Sequence, residues 1–322
     1  MDQPGFLISL TDRALDGEYQ HAIGRDRVIK QIIDSLAPKS TEHPMLLGPP
    51  GVGKTQLVQS VALVLAQLRS PTRLYEVDQA TFSSDTKYMG EMEGKMKSLL
   101  SFAAAQSGSV FFIDEFHSMI GRGSSIGHES GVEQLLKPAM TNGSIKIIAA
   151  TTDSEYEQYI RPDGALARRF CEISVPSLDS NSTTEVLEKI NRQERALGKA
   201  NFSDSIVAEV VKISSQLQAS MPFGEPARAI KVFSSLKREF QSDSKDGLKL
   251  NTEPISALRD LYSKIKSGAE PSAVKECLAK NFAGSIANSI SDDSANAFLQ
   301  ILITKNNQKQ QEAARGSIKW DS

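Results

Sequence analysis

The stretch Gly48-Pro49-Pro50-Gly51-Val52-Gly53-Lys54-Thr55 has the residue types and spacing of a phosphate cradle. Its glycines let backbone N–H groups turn toward an anion, because no Cβ blocks the required dihedrals. A helix opening at Lys54 adds unpaired N–H groups and the positive end of its dipole. Lys54 is placed to reach the β- and γ-phosphates of a nucleotide, and the Thr55 hydroxyl to hold Mg²⁺. Pro50, Gly51, Val52, Gly53, Lys54, Thr55 and Gln56 are therefore the expected phosphate-side contacts of a nucleotide. A chance Gly/Pro-rich turn is the alternative, but the apolar run Met45-Leu46-Leu47 before it and the helical stripe Leu57, Val58, Val61, Ala62, Leu65 and Leu68 after it disfavour that reading.

Hydrolysis needs a second group to hold metal-bound water and a base to activate the attacking water. Asp114-Glu115 follows the apolar run Val110-Phe111-Phe112-Ile113. Asp114 fits the Mg²⁺ role and Glu115 the base. Two carboxylates after a strand also occur as a plain helix N-cap. The phosphate cradle in the same chain favours the catalytic reading. His117 and His128 have no second ligand at metal-site spacing, so neither is expected to bind metal.

Elements must position these groups. Val110–Ile113 and Ile145–Ala150 are continuous apolar runs, as in strands buried on both faces of a parallel sheet. With Met45–Leu47, Arg73–Val77 and Glu172–Val175 they alternate with helical stripes. The expected fold class is α/β, a doubly wound parallel sheet between helices, up to about residue 177. Residues 1–20 are too few for a domain. Thr81–Gly90 reads as a polar loop and Gly121–Gly131 as a glycine- and serine-rich mobile one. From 178 to 245 three helices are expected, at 182–197, 203–217 and 225–240. The remainder, 246–322, holds helix candidates at 255–266, 271–282 and 293–303.

The 322 residues leave room for about two domains, and the net charge of −2 gives no argument for nucleic acid. Cys171 and Cys277 read as reduced thiols. No apolar run reaches the roughly 18 residues that span a bilayer, and the N-terminus lacks signal-peptide regions, so a cytoplasmic location is expected.

In combination, Leu10-Thr11-Asp12, Ile23-Gly24-Arg25-Asp26, the GPPGVGKT stretch, Lys87-Tyr88-Met89-Gly90-Glu91 and Phe112-Ile113-Asp114-Glu115-Phe116-His117 resemble the first ATPase module of the Clp/Hsp100 AAA+ unfoldases. Leu136-Lys137-Pro138-Ala139, Ala150-Thr151-Thr152-Asp153-Ser154-Glu155-Tyr156 and Ala165-Leu166-Ala167-Arg168-Arg169-Phe170 continue the likeness in the family's order. The resemblance implies an AAA+ P-loop fold with a large nucleotide-binding part and a helical lid. It implies that Ile23 and Gly24 line the adenine pocket and that Thr152 senses the γ-phosphate. Arg168 and Arg169 would enter a neighbour's nucleotide site, against the simpler reading of a solvated basic surface. Arg228 resembles the lid arginine of many AAA+ proteins, against an ordinary exposed helix arginine. Lys87, Tyr88, Met89 and Gly90 would form the pore loop, with Tyr88 gripping an unfolded chain rather than packing locally. Met89 stands where the family commonly has arginine.

The expected activity is Mg²⁺-dependent ATP hydrolysis between subunits of a homohexameric ring acting on a protein substrate. The chain shows no second P-loop, no amino-terminal adaptor domain, no coiled-coil insertion and no peptidase-docking loop, so a single ring is expected. Two alternatives stay open: an ATPase remodelling one dedicated complex without threading, and a nucleic-acid loader. No membrane partner is expected.

Overall fold

The computed structural model describes residues 2–37, 40–83, 89–120, 131–197, 202–216, 218 and 223–242. Two compact units divide between Ser177 and Leu178.

In chain order the first unit contains β1 (Leu7–Ser9), α1 (Leu10–Leu15), α2 (Asp26–Ser35), β2 (His43–Leu47), α3 (Lys54–Gln67) and β3 (Arg73–Val77). There follow α4 (Gln79–Ser83), α5 (Met89–Ala105), β4 (Ser109–Ile113), α6 (His117–Ile120), α7 (Gly131–Thr141) and β5 (Lys146–Thr151). It closes with α8 (Asp153–Glu155), a π-helical turn (Tyr156–Ile160), α9 (Gly164–Ala167) and β6 (Phe170–Ser174).

The six strands lie in the order β1-β3-β4-β5-β2-β6. All pairs are parallel except β1 with β3. Side-chain alternation explains why the sheet is covered on both faces. Met45, Leu47, Phe111, Ile113, Ile147 and Ala149 join one core cluster, with Met96 and Leu99 of α5 and Leu136 of α7. Their neighbours Leu46, Val110, Phe112, Ile148 and Ala150 join the other, with Ile29 and Ile32 of α2 and Leu57 and Val61 of α3. The result is the αβα sandwich expected from the apolar runs, with one addition. The first residues are part of it: Phe6 and Leu7 are buried in the first cluster, Leu10 in the second, and β1 runs antiparallel along the edge.

Other boundaries moved for local reasons. Residues 81–83, read as the start of a polar loop, belong to the helix Gln79–Ser83, which Asp78 caps, its Oδ1 accepting from the Ala80 N–H at 3.0 Å, while Phe82 packs edge-on to Phe6 at 5.2 Å. The last strand begins at Phe170, two residues earlier than the apolar pattern suggests, because Phe170 pairs with His43 and buries its ring. Lys87 and Tyr88, the 121–130 loop and the three helix candidates beyond residue 245 lie outside the described residues.

The second unit contains α10 (Ser180–Ala196), α11 (Asp204–Gln216) and α12 (Ala227–Ser242). Asp179 caps α10 by accepting the Ser182 N–H at 2.7 Å. Leu187, Phe202, Ile206, Val207, Val210 and Phe233 are buried, with Phe202 and Phe233 edge to face at 5.4 Å. The Asn191 amide satisfies both backbone groups of Phe202, at 2.7 and 3.0 Å. Among the described residues no helix is long and apolar enough to cross a membrane.

Candidate nucleotide site

Parallel register decides where the chemistry sits. Leu47 pairs with Thr151, and Ile113 with Ala149. The carboxyl ends of β2, β4 and β5 therefore open on one edge of the sheet, where the phosphate cradle, Asp114-Glu115 and Thr152 each follow their strand. Ligands of open parallel sheets bind at this edge.

The cradle is shaped by backbone that only glycine adopts without strain. Gly51 and Gly53 have φ of 79° and 91°. Gly48 is needed for space: a Cβ there would lie 2.2 Å from the Val175 carbonyl oxygen. Gly48→Ala is expected to destabilise the protein by about 1–3 kcal/mol, because the obstacle is backbone that cannot swing aside. An unchanged thermal midpoint would show that the loop shifts freely and would undo this reading.

Lys54 is buried, its Nζ donating to the Gly48 carbonyl at 2.9 Å and, more weakly, to the Pro49 carbonyl at 3.4 Å. The ammonium is thus held in the cradle by two carbonyls that a phosphate oxygen can replace. The Thr55 hydroxyl donates to Asp114 Oδ2 at 2.6 Å across 59 residues of sequence. A hydroxyl and a carboxylate this close present hard oxygen ligands with one negative charge, a set suited to Mg²⁺ and its water shell. Pro50 and Gln56 are exposed at the rim, whereas Val52 is buried.

Ile23 and Gly24 lie on a segment stitched to α3. The Ala22 N–H donates to Ser60 Oγ at 3.0 Å, and Gln56 Nε2 to the Gln20 carbonyl at 3.4 Å. Gly24 turns with φ 67°. Buried Arg25 then donates through Nη2 to the Val52 carbonyl at 2.9 Å, tying this segment to the cradle itself. Arg25 had no assigned role in the sequence; only its neighbours Ile23 and Gly24 did.

Glu115 has φ of +46°, rare for a residue with a side chain and costing about 1–3 kcal/mol. Asp114 Oδ1 accepts the Glu115 N–H at 3.0 Å, and Gln79 Nε2 donates to the Asp114 carbonyl at 3.1 Å. Partial burial, then the charges of Asp114 and Glu155, push the Glu115 carboxyl above the ordinary range, while His117 and Lys54 pull it back. A raised value suits a base that accepts a proton from water.

Thr152 lies one residue past β5 and caps α8. Its hydroxyl is 2.7 Å from Glu155 Oε2, and Glu155 in turn accepts the Thr152 N–H at 3.1 Å. His117, set aside in the sequence for lack of spaced ligands, has them in space. Its Nδ1 is 2.9 Å from Thr151 Oγ1, 3.3 Å from Glu155 and 3.5 Å from Glu115. Ligand atoms of Glu115, His117 and Glu155 all lie within 4.8 Å of one another. Thr151 and Thr152 already occupy Glu155 Oε2, so the cluster is a hydrogen-bonded bridge.

Arg168 and Arg169 follow α9, which Asp163 caps through the Ala165 and Leu166 N–H groups, both at 3.0 Å. Lys137 of α7 pairs with the other Asp163 oxygen. Burial opposes the charged form of Asp163, but Lys137 and the cap hydrogen bonds prevail and hold the carboxyl below its ordinary range. The Arg169 carbonyl accepts the His43 N–H at 2.8 Å, fixing the backbone to β2. Arg168 is exposed and Arg169 half-buried, and neither guanidinium has an acidic partner among the described residues.

Arg228, in the second unit, is not the exposed arginine that the alternative reading expects. It is buried, with Nε 2.9 Å from Glu225 Oε1, and its Nη1 donates to the Phe223 carbonyl at 2.7 Å. Glu225 also accepts from Ser214 Oγ and the Ala229 N–H, both at 3.0 Å. Met89 and Gly90 open α5.

Residues 44–177 match the family model for the "ATPase family associated with various cellular activities (AAA)". This is an AAA ATPase domain. The AAA domain and its surroundings are similar to the chaperone protein ClpB of Aquifex aeolicus, 33% identical over 216 residues, covering 66% of this chain and 21% of that protein. ClpC of Staphylococcus epidermidis, an ATP-binding subunit of the ATP-dependent Clp protease, is 31% identical over 268 residues, 81% of this chain and 31% of its own. A solved structure of Hsp104 with ATPγS and casein superimposes with a TM-score of 0.64 at 25% identity, over 86% of this chain and 54% of that one. The AAA domain is of the Clp/Hsp100 type. This chain spans about a fifth to a third of the length of these curated relatives.

Proposed function

We propose that the protein is an ATP-driven protein-remodelling motor, working as a ring and hydrolysing ATP with Mg²⁺ between subunits. The observation that carries this is the 2.6 Å Thr55–Asp114 contact beside Glu115, at the edge where Lys54 and Thr152 also converge. Likeness to the chaperone ClpB and to Hsp104 solved with casein supports a protein as substrate. A cytoplasmic location fits the same relatives.

In this reading Ile23 and Gly24 receive the adenine, and the loop Pro50–Gly53 wraps the phosphates with Gln56 at its rim. Lys54 exchanges its two carbonyl partners for β/γ-oxygens. Thr55 and Asp114 would hold Mg²⁺, whose charge offsets that of the phosphate oxygens. Glu115 takes the proton of the attacking water, and Thr152 turns its hydroxyl from Glu155 to the γ-phosphate. Arg168 and Arg169 reach the next subunit's site. Arg228 as the lid arginine rests on the family resemblance alone. A nucleotide that bridges these groups favours different conformations before and after hydrolysis.

The hexameric ring and threading through Lys87, Tyr88, Met89 and Gly90 rest on the family resemblance. Tyr88→Ala is expected to leave basal ATP hydrolysis within about threefold while abolishing ATP-driven unfolding of a tagged fluorescent protein, because in the pore-loop reading the aromatic ring provides the grip. Full unfolding by Tyr88→Ala would favour remodelling of a dedicated complex without threading. Titrating ATPase activity with unfolded protein and then with DNA tests the class: stimulation by protein is expected, and stimulation by DNA alone would point to a nucleic-acid loader.

A further inference from the structure

Glu115 and Thr152 stand at the ends of different strands, and the described structure joins them through two side chains. Thr152 donates its hydroxyl to Glu155 Oε2 at 2.7 Å. Thr151 donates to the same oxygen at 3.0 Å, which leaves the Thr151 oxygen free to accept. His117 Nδ1 lies 2.9 Å from that oxygen, a contact that a proton on Nδ1 satisfies. The same nitrogen lies 3.3 Å from Glu155 Oε2 and 3.5 Å from Glu115 Oε2, so two carboxylates stand within ion-pair distance of one donor that is hydrogen-bonded to Thr151. Tyr159 stacks on the imidazole at 5.8 Å and steadies its plane. Against the penalty of burial, hydrogen bonds from Thr152 and Thr151 hold the Glu155 carboxyl below its ordinary range, so it stays an acceptor.

We propose that His117 is a positioning residue that, with Glu155, couples Thr152 to the base Glu115. The link rests on the reading of Glu115 as base and Thr152 as γ-phosphate sensor. Without a γ-phosphate, Thr152 saturates Glu155, and the His117 N–H is shared toward Thr151 and Glu115. When Thr152 turns to a γ-phosphate, Glu155 loses a donor and draws the His117 N–H. Glu115 then loses a competing donor and can accept from water. No bond to hydrogen breaks in this exchange; one N–H and one O–H change acceptors.

The test compares His117→Ala, His117→Asn, Glu155→Gln and the double variant His117→Ala/Glu155→Gln with Glu115→Gln in one assay, reading kcat, KM and the Kd of a fluorescent ATP analogue. His117→Ala is expected to lower kcat about tenfold with Kd within twofold, since the imidazole faces Glu115 and not the cradle. Asparagine places an amide N–H where Nδ1 stands, so His117→Asn should recover most of the loss. Gln can keep the α8 cap, so Glu155→Gln tests the link rather than the helix. The double variant should be no slower than the worse single one, because both break the same link. Equal damage from alanine and asparagine would mean that the ring only packs, and would overturn the proposal, as would multiplying losses or a wild-type kcat in His117→Ala. Glu115→Gln should be inactive throughout. Wild-type turnover by that variant would overturn the assignment of Glu115 as base and the link with it.

Discussion

Glu115→Gln is expected to bind ATP as tightly as the wild type and to lose at least ~100-fold in turnover, the scale of a general base. The amide keeps the volume and hydrogen-bonding reach of the side chain but cannot take a proton from water. The site supports a clean separation of the two effects. The carboxylate group touches neither Lys54 nor Thr55 in the described contacts, and the Asp114–Thr55 pair stands without it. The backbone turn at φ +46° is unchanged by the swap, so the fold should not suffer. The check is single-turnover hydrolysis beside equilibrium binding. Turnover near wild type would mean that another group activates the water. A lost affinity with intact turnover would make Glu115 a binding group instead. If the variant holds ATP without hydrolysing it, affinity capture with it should retain the protein substrate.

Which parts of this arrangement could be read in advance follows from how the contacts are made. Lys54, Thr55 and Asp114 lie in short contiguous patterns whose chemistry is local, and a strand before each was visible as an apolar run. The αβα layering was legible for the same reason, because strands buried on both faces leave no polar alternation. The His117–Glu155 bridge was not legible. Its partners come from β5 and the helix after it, and no spacing along the chain shows that Thr151 and Glu115 end on neighbouring strands. Arg25 was hidden likewise, since its partner is a backbone carbonyl, a group every residue has. The three-residue edge strand β1 is too short to show a period, and its place is set by Phe6 and Leu7 packing under the sheet. Arg228 departs only from the alternative reading of an ordinary exposed helix arginine, because Glu225 of the same segment supplies a buried partner that helix position alone does not show.

Arg169→Ala is expected to reduce hydrolysis at least ~10-fold, toward the ~10³-fold loss of an arginine finger, while ATP still binds. The geometry of its own subunit argues for action outside it. The Asp163 cap and the His43–Arg169 backbone bond fix where the chain leaves α9, yet no acidic partner among the described residues takes up the guanidinium. A fixed backbone with an uncommitted cation is poised to meet charge supplied from elsewhere, as the phosphoryl group of a neighbouring site would be in a head-to-tail ring. Mixing separates this from a local role. Lys54→Ala subunits keep the arginine but lose the point charge facing the phosphates, so alone they should be inactive. Combined in equal amounts, the two impaired variants should regain activity at about a quarter of the interfaces, where an intact site meets an intact arginine. The regained rate should grow with protein concentration and with ATP and Mg²⁺, since bound nucleotide adds contacts across the interface. No recovery at concentrations where both variants assemble would place Arg169 in its own subunit's chemistry. Undiminished wild-type hydrolysis by a monomer at high dilution would remove the need for a neighbour altogether.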